Sequence, residues 1–174
     1  VAQGLIWGIM AIGVYLTYRV LDISDLTVDG SITTGGAVCI MMMLAGFPAW
    51  AAMLGATAAG MLAGLVTGLL HTAMGIPALL AGILTQLSLY SINLRIMQKS
   101  NQSISVDKYD LLISLRYITE AILICAVLVL IIIAVLYWFF GTELGSSLRA
   151  TGANEAMSRA QGINTNVAKI LGLM

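Results

Sequence analysis

Ala121-Ile-Leu-Ile-Cys-Ala-Val-Leu-Val-Leu-Ile-Ile-Ile-Ala-Val-Leu-Tyr-Trp-Phe-Phe140 carries no charge, and this stretch decides the fold class. A helix needs roughly 20 apolar residues to cross the hydrocarbon core of a bilayer. The run closes on Tyr137-Trp138, an aromatic pair of the kind that sits at a membrane–water interface. Backbone groups in lipid must be bonded internally, so a spanning segment is a helix or part of a closed barrel. Barrel strands alternate apolar and polar residues over about ten positions, and this run does not alternate.

The same reading extends to Gly4–Tyr18 (continued through Val20-Leu21), Ser31–Gly46, Pro48–Leu70 and Gly75–Ile92. The expectation is an all-α membrane protein, a polytopic helical bundle of about five spans. Composition agrees: 60% of residues are hydrophobic and 9% charged, against about 25% charged in soluble domains. The formal net charge of zero gives no reason to expect a nucleic-acid partner. Cys39 and Cys125 both sit inside apolar runs and read as packing residues, not a disulfide.

Between the first two spans lies Arg19-Val-Leu-Asp-Ile-Ser-Asp-Leu-Thr-Val-Asp-Gly-Ser31. Broken, polar backbone at membrane depth survives only where it is buried in protein or lines a watery path. Ser31 is placed to cap the following helix, Asp29 complements its dipole, and Gly30 permits a turn. Asp25, Thr27, Asp29 and Ser31 are therefore candidates for the lining of a translocation pathway. A plain loop with a capped helix is the other reading of the same residues.

Gly60, Gly64 and Gly68 recur every fourth residue, with Ala52 and Ala56 extending the stripe. Small residues at this spacing let helices approach closely, so the stripe reads as helix packing. Gln86, Ser88, Tyr90 and Asn93 stand at the exit of the fourth span, where uncharged polar groups bond a neighbouring helix or contact a solute. His71 has no second ligand at metal spacing; no metal or other cofactor is expected. The second half of Asn93–Thr119 has helical period through Leu112, Leu115 and Ile118, the pattern of an interfacial helix or a solvated loop.

After the apolar run comes a polar, small-residue segment, Leu148-Arg-Ala-Thr-Gly-Ala-Asn-Glu-Ala-Met-Ser-Arg-Ala-Gln-Gly-Ile-Asn-Thr-Asn-Val-Ala-Lys169. Its Leu-Arg-Ala around Arg149, then Gly152, Asn154, Ala160, Gly162, Ile163 and Asn164, resembles the cytoplasmic coupling loop of permease subunits in binding-protein-dependent ABC importers. The branched-chain amino acid and ribose permease group, in its uncharacterised branch, is the nearest.

That resemblance implies a coupling segment at 145–169 docking on a cytoplasmic ATPase subunit, with a helix in the Gly152–Gln161 region. Asn154 would cap it, and Gly152 and Gly162 would allow tight turns at its ends. It further implies an extracytoplasmic substrate-binding protein, a second permease copy, and a break that makes the second helix discontinuous. Residues 1–174 then form one transmembrane permease domain, expected to be cut at both ends.

Charge alone does not orient the chain. Arg19, Arg149, Arg159 and Lys169 share one face, and Arg95, Lys99, Lys108 and Arg116 the other, so the positive-inside rule is balanced. The resemblance places the C-terminal polar segment in the cytoplasm and the N-terminus outside. The sequence holds no Gly-x4-Gly-Lys-Ser/Thr phosphate loop or Gly-x-Gly-x-x-Gly, so this is not an enzyme and nucleotide hydrolysis belongs to another chain. The expected role is inward movement of a small polar solute, with an amino acid as one candidate. An ion-coupled secondary transporter using Asp25 and Asp29 is the alternative.

Overall fold

The computed structural model of the chain describes residues 2–99 and 118–174, and every regular element among them is a helix. Helix α1 (Ala2–Tyr15) widens into a π turn (Leu16–Val20). The long helices are α2 (Thr27–Leu44), α3 (Ala49–Thr72), α4 (Ala78–Met97) and α5 (Ile118–Phe140). Three short ones close the chain: α6 (Glu143–Ala153), α7 (Glu155–Ala160) and α8 (Thr165–Leu173). Thr27–Leu44, Ala49–Thr72, Ala78–Met97 and Ile122–Phe140 are long and apolar enough to cross a membrane. The chain is a multi-pass membrane protein. The first expected span is 14 α-helical residues, about 21 Å at 1.5 Å per residue, before the π turn carries it on.

The two turns joining α2 to α3 and α3 to α4 are built alike. Each has a glycine in the left-handed region (Gly46, φ 89°; Gly75, φ 68°), then an apolar residue, then a proline preceding the next helix. Phe47 N–H returns to the Met42 carbonyl at 3.1 Å, the i-to-i−5 bond of a Schellman end. Pro48 and Pro77 have extended ψ values of 149° and 137°, so neither can continue the helix before it.

The residues pack as two compact units, one of Val1–Ile23 with Leu112–Gly172 and the other of Ser24–Leu111 with Leu173–Met174. In the second, α2, α3 and α4 all touch one another. The α2–α3 crossing is close because its residues are small: a Cβ on Gly35 would lie 3.3 Å from the Ala56 carbonyl, and Ala52 is fully buried. The outward side of α3 is apolar, with Leu54, Met61, Leu62, Val66 and Leu69 exposed, as a lipid-facing surface requires. In the first unit α1 packs against α5, and Ile12, Val20, Ile133 and Phe140 line one shared cleft.

Several expectations change. Helix α2 starts at Thr27 instead of Ser31 because the Asp25 carboxylate accepts from the Thr27 N–H at 2.8 Å. Ser31 does not cap; its hydroxyl donates to the Val28 carbonyl at 2.9 Å, within the helix. The irregular backbone is thereby confined to residues 21–26, ahead of an unbroken α2, and Asp22 there takes φ 56°. Gly30 is likewise helical; its missing side chain admits Gln86 and Leu89 of α4. Helix α4 runs on to Met97, so Asn93 and Arg95 belong to it and not to a loop. The helical period through Leu112 and Leu115 lies outside the described residues.

The glycine stripe divides. Gly64 and Gly68 are buried, and a Cβ at Gly64 would collide with the Leu173 carbonyl, whereas one at Gly60 would meet nothing within 4 Å. Gly64→Val should therefore cost about 1–3 kcal/mol and lower the thermal midpoint of the detergent-purified protein. Gly60→Ala should leave that midpoint unchanged or slightly raised, since it adds only helix propensity. Scanning fluorimetry on both variants reads the difference.

Candidate functional site

Among the described residues, bonded polar side chains gather where α2, α3 and α4 meet and in the segment from α6 to α8.

At the start of α2, Thr27 is 1% exposed and its hydroxyl lies 2.9 Å from that of Thr67 on α3. Thr67 in turn donates to Thr85 on α4 at 3.0 Å, and Thr85 to the Ala81 carbonyl at 3.0 Å. Each of the three hydroxyls has a partner, so the chain of threonines joins three helices through bonds that are all buried. Such bonds in membranes contribute roughly 0.6–2 kcal/mol each. Gly82 permits the approach, because a Cβ there would sit 3.0 Å from Leu26 N and 3.2 Å from the Asp25 carboxylate.

Of the four residues proposed to line a pathway, Asp25 and Thr27 thus belong to one structural joint and Ser31 is bonded to its own helix. Asp29, in the first turn of α2, is exposed. Beside it Thr33 is exposed, and its hydroxyl accepts from the Asn93 amide at 3.4 Å. Asn93 and Thr33 do make the interhelical bond that uncharged polar groups in lipid are expected to make. Thr67 and Thr85 were not singled out by the sequence, because a lone threonine in an apolar run gives no sign of its cross-helix partner.

The C-terminal segment is tied by caps and charges. Thr142 accepts from Gly145 N–H to open α6, and Asn154 accepts from Met157 N–H at 3.0 Å to open α7. Gly162, at φ 85°, turns the chain after α7, with Ile163 N–H bonded to the Ser158 carbonyl at 3.0 Å. Asn164 then caps α8 through Val167 N–H at 3.3 Å. The expected helix is α7, Asn154 caps it, and Gly162 makes its exit turn.

Gly152 does something else. It lies inside α6, where a Cβ would collide with the Val20 carbonyl, so its role is to let α6 rest on the π turn. Arg149 also stands apart from α7: its guanidinium donates to the Phe140 carbonyl and lies 5.7 Å from the Phe140 ring centre. Ala160 ends α7 and is exposed.

Glu155 is the hub the sequence reading did not single out. Its carboxylate accepts from Arg159 at 2.7 Å and from Lys169 at 2.8 Å, and Thr165 bonds both Glu155 and Arg159. The i, i+4 spacing of Glu155 and Arg159 was visible; the closure by Lys169, 14 residues on, was not. The Lys169 hydrogen bond, aided by the charges of Lys169 and Arg159 and by Thr165, holds the Glu155 carboxyl below its ordinary range.

A depressed carboxylate pKa contributes order above the ordinary carboxylate range and loses it as pH falls through the folded-state value. The α7–α8 turn should therefore stay protected from amide exchange at neutral pH and open in acid. Glu155→Gln should raise exchange of residues 155–169 by roughly two- to fivefold at pH 7 and remove the acid dependence. Hydrogen–deuterium exchange with mass spectrometry measures both.

The family model described as "Branched-chain amino acid transport system / permease component" matches residues 1–174. A tyrosine transport system permease protein of Clostridioides difficile (strain R20291) is 41% identical over 179 residues, covering 99% of this chain and 57% of that protein. An uncharacterized protein of Rickettsia prowazekii (strain Madrid E) is 34% identical over 175 residues, covering 98% of this chain and 60% of its own. The chain thus spans about three-fifths of the length of these curated relatives. No solved structure matches it.

Proposed function

The chain belongs to the branched-chain amino acid transport system permease family, and from that premise we propose that it is the membrane-embedded part of an ABC importer. It moves a small polar solute inward across the plasma membrane, in concert with a cytoplasmic ATPase, an extracytoplasmic binding protein and a second permease copy. The name of the C. difficile relative makes tyrosine the first solute to test.

The observation that carries this reading is the construction of residues 142–169. A six-residue helix standing alone would not hold its shape in water. Here α7 is capped by Asn154, closed by the Gly162 turn and clamped through Glu155 to Lys169 on α8. A short helix held from both ends is suited to transmit a push.

In the proposed mechanism α7 sits in a groove of the ATPase, and ATP-driven closure of the ATPase dimer displaces it as a rigid piece. Helix α6 carries the displacement to the π turn, which it meets without intervening side chains at Gly152. The π turn leads directly into the irregular residues 21–26, where the backbone can absorb a rotation. The spans rock and access alternates. Of the two carboxylates an ion-coupled carrier would use, Asp25 serves the Thr27 N–H and Asp29 is exposed.

Asn154→Leu and Gly162→Val in the full-length permease, assembled with its ATPase, should lower substrate-stimulated ATP hydrolysis about fivefold or more, the equivalent of one lost cap. Assembly should be retained. Unchanged stimulation in both variants overturns the assignment. Orientation is read by labelling intact cells with an impermeant thiol reagent in a background lacking Cys39 and Cys125. Ser103→Cys should react, and Gln161→Cys, exposed on the loop after α7, should react only after permeabilisation.

A further inference from the structure

Where α1, the π turn, α5 and α6 meet, two clefts of opposite character run into one another. The first, about 520 Å³, is walled by Ile12, Leu16 and Val20 and by Ile133, Leu136 and Phe140 of α5. The second, about 500 Å³, is lined by Tyr18, Arg19 and Asp22 around the π turn and by Arg149, Gly152 and Ala153 of α6. Tyr15, Val20 and Arg149 line both, so the two are continuous. One is an apolar groove and the other a polar pocket, and both lie within the first unit.

Their junction lies at headgroup depth. Arg149 donates to the carbonyl of Phe140, the last residue of α5. Tyr15, Tyr18 and Tyr137 line the clefts and are exposed, as aromatic residues at a membrane–water interface are. From Phe140 back to Ile133 the groove follows α5 for about 10 Å, much of the roughly 15 Å that one leaflet contributes to the hydrocarbon core. The polar pocket holds two arginines and one aspartate, all exposed, leaving one positive charge in excess. A guanidinium has five N–H donors, of which the Phe140 carbonyl occupies only part on Arg149. A free anion would need the polar pocket alone, and a covering helix would leave the arginines without a counter-charge. A molecule with an anionic head and a hydrocarbon chain fits both clefts at once.

We propose that this junction is a binding site for one anionic phospholipid. The headgroup phosphate accepts from Arg19 and Arg149, the fork geometry that guanidinium offers to phosphate, and an acyl chain lies in the groove between α1 and α5. Basic pockets between membrane helices hold anionic headgroups in this way. The lipid ties Arg19 of the π turn to Arg149 of α6, on either side of the backbone contact at Gly152. It is therefore a staple across that contact, and its presence does not depend on what the permease carries.

The test titrates the full-length permease in mild detergent with palmitoyl-oleoyl phosphatidylglycerol, or with phosphatidylcholine of the same chains, and counts bound lipid by native mass spectrometry. The first phosphatidylglycerol should bind roughly tenfold more tightly than phosphatidylcholine. Arg19→Gln and Arg149→Gln should each weaken it roughly fivefold, the attraction of one basic residue for an anionic headgroup. Asp22→Asn should tighten it, a gain that no folding defect mimics, and asparagine tolerates the positive φ of that position. Ile133→Trp, on the exposed wall of the groove, should weaken it by filling the space for the chain. Inorganic phosphate in large excess should leave the bound lipid in place. Equal binding of the two lipids overturns the proposal, and is the result expected if another part of the longer protein or a second copy covers the groove. Unchanged binding in both arginine variants or in Ile133→Trp overturns it too, and displacement by inorganic phosphate reassigns the pocket to a free anion.

Discussion

A chain that leaves helical geometry within a membrane must find new partners for the backbone groups it frees, and at residues 21–26 part of that need is met locally. Leu21 N–H reaches back to Leu16 through the π turn, Ile23 N–H to the Thr17 carbonyl at 3.1 Å, and Thr27 N–H to the Asp25 side chain. Among the polar side chains of this stretch, it is Asp25 that serves the break. Helix α2 then begins at Thr27, whose hydroxyl meets that of Thr67 on α3.

What holds the three-helix unit together follows from that placement. Hydrophobic burial gives little drive between helices surrounded by lipid, so close approach and interhelical hydrogen bonds must serve. Gly35 against Ala56, Gly30 against Gln86 and Gly82 against the 25–27 backbone supply the approach. Thr27, Thr67 and Thr85 supply the bonds. The bonds form only because the glycines bring the backbones near, and the glycines gain nothing without partners of the right size opposite them.

The fold class was legible because a bilayer leaves helices so few alternatives: the length and apolarity of Ala121–Phe140 nearly suffice, and Gly46-x-Pro48 and Gly75-x-Pro77 mark the turns in plain residues. Helix α7 and its Asn154 cap were legible for a similar reason, since capping is a local rule. Pairings across the chain were not. Nothing in the spacing of Thr27, Thr67 and Thr85 tells that they meet, nor that Lys169 closes on Glu155, because both depend on how helices pack in three dimensions. Ser31 shows the reverse error: a good capping residue went unused because Asp25, six residues earlier, offered its carboxylate to the chain first.

Gly152 bears on both halves of the proposed mechanism. A helix that only needed to end near α7 could carry any small residue at this position, but α6 rests its backbone directly on the Val20 carbonyl. Contact through backbone leaves no side chain to bend, so a displacement of α6 reaches the π turn undiminished. The π turn is also the least regular helical geometry in the described chain, and its ladder gives way at residues 21–26, where Asp22 already takes a positive φ. A stiff element therefore abuts a compliant one. That order suits the conversion of a push into a rotation, because motion concentrates where the backbone is least constrained.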